Sequence, residues 1–276
     1  HAVAAIAAVD RYVADYAASK VKVEYEVLES VTNVEDATKE NAPILLEDLV
    51  GDHIGEKVSN TNIASVTRHE FGNPDKAFEE AENVVEKTFT LQMVHQGYIE
   101  PHNATAHWDE DDRIKVWTST QGAFPVRTST AAILDMDVSR IKVTPLEIGG
   151  GFGGKIPVYL EPVVSILSKK SGRPVKAIME RSNVFQASGP APGGTITVKM
   201  GTDKDANIIA AETSIKLEAG GFPGAAVGAA VQCIFAPYDI PNTRIDGYDI
   251  VVNKPKSAAY RAPGSPQAAF AAETVS

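Results

Sequence analysis

The chain has 276 residues, 43 % of them hydrophobic and 22 % charged, with a formal net charge of −10. That length holds one large domain or two smaller ones around a sizeable core, and the acidic balance, with no basic cluster, argues against nucleic acid or an anionic membrane as partner. No apolar run reaches the roughly 18 residues that span a bilayer, and the single cysteine, Cys233, excludes a disulfide framework, a Cys-based zinc site and an iron–sulfur cluster held by these residues.

The apolar run from His1 to Val9 has no basic leader, so a signal peptide is not expected and a reducing cytoplasm is the default compartment. Residues 2–9 predict a buried strand, Asp10 an N-cap for a helix over 11–20, and the alternation of 21–28 a half-buried strand. This β-α-β unit is expected to close a small domain near residue 40. Residues 41–72 are polar and lack sustained periodicity, which predicts a connector. Beyond it the pattern predicts a helix over 75–82, strands over 84–94, 105–108 and 114–120, a helix over 124–134 and a strand over 140–146. A helix is expected over 157–170, with Pro157 suited to its first turn and Pro162 requiring a late start or a kink. A strand over 174–179 follows, then a hairpin of 195–200 and 208–218 about the turn 203–207. A Gly/Ala/Pro-rich loop at 220–230 and strands near 231–235 and 244–253 complete the pattern, which predicts an α/β to α+β fold with mixed sheets. Both ends interrupt an element without turn chemistry, so the chain is expected to be a piece, or one subunit, of something larger.

The densest signal is Gly149-Gly150-Gly151-Phe152-Gly153-Gly154-Lys155, between a predicted strand and a predicted helix. Gly149, Gly151 and Gly154 satisfy the G-x-G-x-x-G of a dinucleotide-binding turn, with Glu180 placed where a ribose-binding acid would stand, but Pro145 and Glu147 interrupt the approaching strand. Gly149, Gly154 and Lys155 also fit a phosphate-binding G-x-x-x-x-G-K loop, except that Ile156 replaces the Ser or Thr that would ligate Mg²⁺. A tight turn requiring positive φ explains one or two of these glycines, not five in six positions.

A further reading joins this loop to Trp117-Thr118-Ser119-Thr120-Gln121, Glu100-Pro101-His102, Glu180-Arg181-Ser182, Glu218-Ala219-Gly220 and the stretch from Ser257 to Gln267 (Ser-Ala-Ala-Tyr-Arg-Ala-Pro-Gly-Ser-Pro-Gln). Taken in this order, the set resembles the molybdenum-cofactor subunit of the xanthine dehydrogenase/aldehyde oxidase family over nearly the whole chain. The resemblance implies that residues 1–40 end a small hammerhead-type α/β domain and that 73–276 form the first half of a molybdopterin-cofactor-binding domain. It implies a molybdenum–molybdopterin cofactor, the cytosine dinucleotide form among its variants, whose own sulfurs hold the metal so that the chain need supply no Cys or His ligand. FAD and 2Fe–2S clusters are implied on partner domains or subunits.

By this resemblance Gln121 donates a hydrogen bond to the cofactor's oxo ligand, Gly151, Phe152 and Gly153 turn backbone N–H groups toward it, and Arg261 and Ala262 approach it mainly through backbone. Phe152 and Ile156 line the substrate pocket. Taken singly, Gln121 is equally an ordinary turn cap, Phe152 a core aromatic and Arg261 a surface ion-pair partner, while Glu100 and His102 fit either a place near the site or a structural hydrogen-bonding role. The six histidines show no zinc spacing. The implied reaction is hydroxylation of an aldehyde or a heteroaromatic ring carbon, a small-molecule substrate, with water as the oxygen source. Its general-base glutamate is expected in the remaining C-terminal half of the molybdenum subunit, which makes this chain alone inactive. Ile156 stands where purine-oxidising members carry a glutamate, and Ala262 follows Arg261 where carbon monoxide-oxidising members place a cysteine, so both activities are disfavoured.

Overall fold

The computed structural model describes residues 2–276; His1, at the head of the opening run, lies outside the described residues. In chain order the elements are α1 (Arg11–Ala18), α2 (Val34–Ala37), β1 (Gly51–His53), β2 (Glu56–Val58), β3 (Ile63–Phe71), α3 (Pro74–Glu80) and β4 (Asn83–Leu91). There follow β5 (Asn103–Trp108), β6 (Ile114–Thr118), α4 (Ala123–Leu134), a 3₁₀ turn (Val138–Arg140), β7 (Ile141–Pro145), α5 (Glu161–Ser171), β8 (Val175–Ile178) and α6 (Arg181–Ala187). The last are β9 (Gly194–Thr202), β10 (Ile208–Gly220), α7 (Val227–Cys233), β11 (Thr243–Val251) and α8 (Ser265–Val275). They fall into two compact units, each built from two separate stretches of chain.

The first unit takes the residues up to Leu28 together with Gln96–Ser188. Its sheet has the order β7-β6-β5-β8, with β6 and β7 parallel and the other pairs antiparallel. Alternation along β5 and β6 turns Ala104, Ala106, Ile114 and Val116 inward, where Ala131 of α4 and Val164 of α5 close the core. The second unit, Glu29–His95 with Gly189–Ser276, holds a seven-stranded sheet in the order β2-β1-β3-β11-β10-β9-β4. Ile196, Val198, Ile215 and Leu217 of its β9–β10 hairpin pack under Ala230 and Val231 of α7 and Ala268, Ala271 and Ala272 of α8. Each large aliphatic side chain buried there contributes about 1.5–3 kcal/mol.

The fold is mixed α/β, as the sequence predicts, with four local corrections. Residues 2–9 and 21–28 form no strand and stay almost wholly exposed, although α1 between them forms with the Asp10 carboxylate accepting from Val13 N–H at 2.9 Å. Alternating apolar residues can face a core but cannot supply the neighbouring ladder a strand requires. The stretch 41–72, expected to be irregular, contains β1, β2 and β3, the last paired on both sides, to β1 and β11. Its hairpin turn is Ile54-Gly55, both at positive φ (55° and 88°); a two-residue turn of this kind normally announces itself with Asn-Gly, and isoleucine conceals it. Residues 231–235 continue a helical segment rather than a strand, with Ile234 and Phe235 buried; a short apolar run carries no period that separates the two. The helix expected from 157 starts late, at Glu161, which places Pro162 harmlessly in its first turn.

Candidate functional site

In the first unit β6 and β7 run parallel, so the segments leaving their C-terminal ends lie side by side, the place where open α/β sheets build binding crevices. Leaving β6, Ser119-Thr120-Gln121 leads into α4; leaving β7, the chain enters the glycine loop. The two are laced together. Gln121 N–H and Thr120 Oγ1 both donate to the Lys155 carbonyl at 3.0 Å. Gln121 Oε1 accepts from Gly153 N–H at 2.7 Å and from Lys155 N–H at 3.3 Å. That pair fixes the amide's orientation, because only the oxygen can face two donors. Its Nε2 donates in no hydrogen bond among the described residues.

Within the loop, Gly150 (φ 92°), Phe152 (φ 52°) and Gly153 (φ 102°) are left-handed, and phenylalanine in that region marks local strain. Gly149 N–H goes to Glu100, Gly153 and Lys155 N–H to Gln121, and Gly154 N–H to the Gly151 carbonyl. The N–H groups of Gly150, Gly151 and Phe152 meet no acceptor among the described residues. Phe152 and Ile156 expose 50 % and 43 % of their surface, so neither is a core residue.

Under the loop sits an ion pair whose weight the sequence did not disclose. The Lys155 side chain is fully buried; its Nζ donates to Glu100 Oε2 and to Ser119 Oγ, both at 2.7 Å, and lies 5.0 Å from the Tyr98 ring centroid. The same carboxylate oxygen accepts from Ser119 Oγ (2.7 Å) and Gly149 N–H (2.8 Å), and Oε1 accepts from Asn103 Nδ2 (3.0 Å). Burial by itself would raise the Glu100 carboxyl, but these donors, Lys155 first, outweigh it and hold the group at about 2. Burial pulls the Lys155 ammonium down, and the carboxylate limits the fall. His102, also buried, bonds through Nε2 to Tyr98 Oη at 2.5 Å and stacks edge-on against Tyr159, a structural role away from the loop's free amides.

This geometry settles two readings of the glycines. The strand after α5 is β8, antiparallel to β5 and separated from β7 by two strands, so the loop opens no parallel β-α-β unit; Glu180 pairs with Arg11, and the helix begins seven residues past Gly154. The dinucleotide reading is thereby overturned. Lys155, buried and paired, is not a phosphate-reaching lysine.

Arg261 and Ala262 belong to the second unit. There Ala262 (φ 60°) and Gly264 (φ 82°) form a turn closed by Ser265 N–H on the Ala262 carbonyl at 3.1 Å, leading directly into α8. Arg261 is exposed and enters no ion pair among the described residues. Two buried oxygens of this stretch, Ser257 Oγ and Gln267 Oε1, have no hydrogen-bond partner among the described residues.

The donors left over are neutral N–H groups and an amide NH₂, with no cluster of three or more His, Cys, Asp or Glu suited to a metal among the described residues. Such a set fits a ligand that brings its own acceptors. Comparison with known families decides which: residues 54–275 match the family model of the molybdopterin cofactor-binding domain. The chain belongs to this family. It is 29 % identical over 99 % of its length to the nicotinate dehydrogenase large molybdopterin subunit of Eubacterium barkeri, of which it covers 62 %. It is likewise 29 % identical, over 97 % of its length, to the xanthine dehydrogenase of Blastobotrys adeninivorans, covering 18 % of that protein. Among solved structures it matches the reconstituted CO dehydrogenase of Oligotropha carboxidovorans with a TM-score of 0.86 and 28 % identity, over 96 % of this chain and 35 % of that one. The chain thus spans between 18 % and 62 % of the length of these relatives. No helix among the described residues is long and apolar enough to cross a membrane.

Proposed function

We propose that this chain forms one side of the cofactor pocket of a molybdenum hydroxylase that hydroxylates an aldehyde or a heteroaromatic ring carbon with water as the oxygen source. Gln121, Gly151, Phe152 and Gly153 in the first unit, and Arg261 and Ala262 in the second, are assigned to the cofactor; Phe152 and Ile156 face the substrate. The observation that carries this reading is the row of unpartnered N–H groups from Gly150 to Phe152 beside a glutamine whose Nε2 is turned outward. Gly153 contributes its turn rather than its N–H, which Gln121 already holds.

A molybdenum cofactor held by these residues would supply two-electron redox chemistry. The chain's own residues do what a low-dielectric pocket requires: they hold fixed donors toward the cofactor's oxygens, and the Phe152 ring and Ile156 side chain keep water from the substrate side. In this reading residues 1–40 are assigned to the tail of a hammerhead-type domain and 73–276 to the first half of the cofactor domain. The general-base glutamate, the iron–sulfur clusters and FAD belong in this reading to the rest of the molybdenum subunit and to partner subunits, so the chain alone is inactive. The reading takes in both molybdopterin and its cytosine dinucleotide, and the exposed, single Cys233 suits a reducing cytoplasm. Molybdenum and pterin analysis of the purified complex tests this directly. Gln121→Ala in that complex is expected to lower turnover about 10²-fold, as loss of one oriented donor does. A complex holding neither molybdenum nor pterin sinks the proposal.

A further inference from the structure

The loop 149–155 is tied at both ends to a single atom. Glu100 Oε2 takes Gly149 N–H at the loop's start and Lys155 Nζ at its end, while Glu100 N–H donates to the Gly149 carbonyl at 3.1 Å. Between these ties lie the free amides of Gly150, Gly151 and Phe152 and the strained φ of Phe152. A backbone held in left-handed conformations persists only where its surroundings over-determine it. Glu100, Gln121, Ser119 and Thr120 are side chains that hold it, and of these Glu100 alone reaches both ends.

We infer that Glu100 is a positioning residue: through Gly149 and Lys155 it sets the direction of the three free amides, and so controls whether the loop can receive an acceptor-bearing ligand. A purely structural alternative is that Glu100 serves only to neutralise the buried Lys155 ammonium. The two differ in what the carboxylate does for Gly149. If neutralisation is the whole role, removing both charges restores everything; if Glu100 positions the loop, the acceptor for Gly149 N–H must remain even when no charge needs balancing. The geometric part stands on the hydrogen bonds alone, whereas its consequence for ligand binding rests on the cofactor-pocket reading above.

Two double variants in the full complex separate these roles. Glu100→Met/Lys155→Met removes both charges and the acceptor; Glu100→Gln/Lys155→Met removes both charges and keeps the acceptor. The second is expected to melt above the first, because methionine leaves the Gly149 N–H without an acceptor. Hydrogen exchange at Gly149, Gly153 and Lys155 is expected to rise about tenfold in the first variant, the result of losing one buried hydrogen bond, and to stay within about twofold of wild type in the second. Molybdenum and pterin content should follow the same order. Equal exchange in the two variants overturns the inference, as does a loosened loop with undiminished cofactor content. Absence of molybdenum and pterin from the wild-type complex would instead remove the cofactor reading and leave the exchange comparison to decide the positioning role.

Discussion

The glycine loop of the first unit and the arginine turn of the second use glycine for different mechanical reasons. A Cβ on Gly149 would meet Glu100 Cβ at 2.6 Å, on Gly151 the Gln121 Oε1 at 2.5 Å, and on Gly154 the Gln96 Cδ at 2.8 Å, all side-chain atoms. A Cβ on Gly264 would meet the Ala226 carbonyl at 2.6 Å and the Ala230 nitrogen at 2.7 Å, both backbone atoms at the entry of α7. The Gln121 and Gln96 amides can rotate away, whereas a helix backbone, like the backbone-fixed Glu100 Cβ, cannot. The loop is therefore a structure adjusted by its polar partners, and the turn is a structure wedged against a helix.

The sharpest way to break this comparison is a pair of alanines. Gly264→Ala meets backbone on two sides at φ 82° and should cost about 4 kcal/mol or more, in the range reserved for strained, overpacked positions. Gly151→Ala should cost only about 1–2 kcal/mol, because the Gln121 amide can swing aside. The smaller loss carries the larger functional change, since the swing dismantles the bonds to Gly153 and Lys155. Urea melts of the two variants check the order; equal losses would show that the loop is as rigid as the turn.

Buried ion pairs extend the contrast. Lys155→Met leaves the Glu100 carboxylate without its cation and is expected to cost about 3 kcal/mol at neutral pH. In the second unit Lys254 Nζ donates to both oxygens of Glu218 at 2.9 Å, and Glu218 is 4 % exposed. Burial already pushes the Glu218 carboxyl upward there, with the Lys254 bond opposing, so the acid can escape by taking a proton. Lys254→Met should thus cost less, about 2 kcal/mol, and less again as pH falls. Denaturant midpoints at pH 7 and 5 measure both.

The buried carboxyls Glu100 in the first unit and Glu218 and Asp249 in the second should contribute to the pH response with opposite signs. Glu100, held at about 2 against an ordinary 4.5, contributes stability above the ordinary value that is lost as pH falls toward 2, because the unfolded chain binds the proton first. Glu218 and Asp249 are raised, chiefly by burial, so these two groups bind protons in the folded chain before they do in the unfolded one. Their contribution grows as pH falls from neutrality toward the ordinary carboxylate range. Hydrogen exchange in β9 and β10 against that in residues 149–155, corrected for intrinsic rates, should diverge on acidification. Parallel loss in both would contradict the assignment.

What the sequence disclosed divides along similar lines. Local, periodic features were legible: α1 with its Asp10 cap, the helix α3, and the β9–β10 hairpin about the turn 203–207 each follow from neighbouring residues. The loop and Gln121 could be brought together because both belong to recognisable motifs. Features set by distant partners were not legible. β1 turns into β2 through Ile54-Gly55, where isoleucine stands in place of the usual Asn or Asp, and then pairs in parallel with β3, while nothing in residues 2–9 or 21–28 reveals that no ladder awaits them. Glu100 was ambiguous for the same reason. A carboxylate's burial depends on the lysine 55 positions later, and only the unusual Lys155, closing a glycine run on a residue that must bury its chain, pointed that way.

The smallest effect isolates one ingredient of the first comparison. Gly172 ends α5 at φ 63°, and a Cβ there meets nothing within 4 Å, so Gly172→Ala tests left-handed backbone cost without any clash. The expected loss is about 1 kcal/mol, the penalty of a Cβ in that region less the entropy alanine removes from the unfolded chain. Subtracting it from the Gly264→Ala loss leaves the steric share of the turn. If that remainder is near zero, the arginine turn is not wedged against α7 at all, and its glycine is there for φ alone; if it is the larger part, the helix entry defines where Arg261 and Ala262 stand.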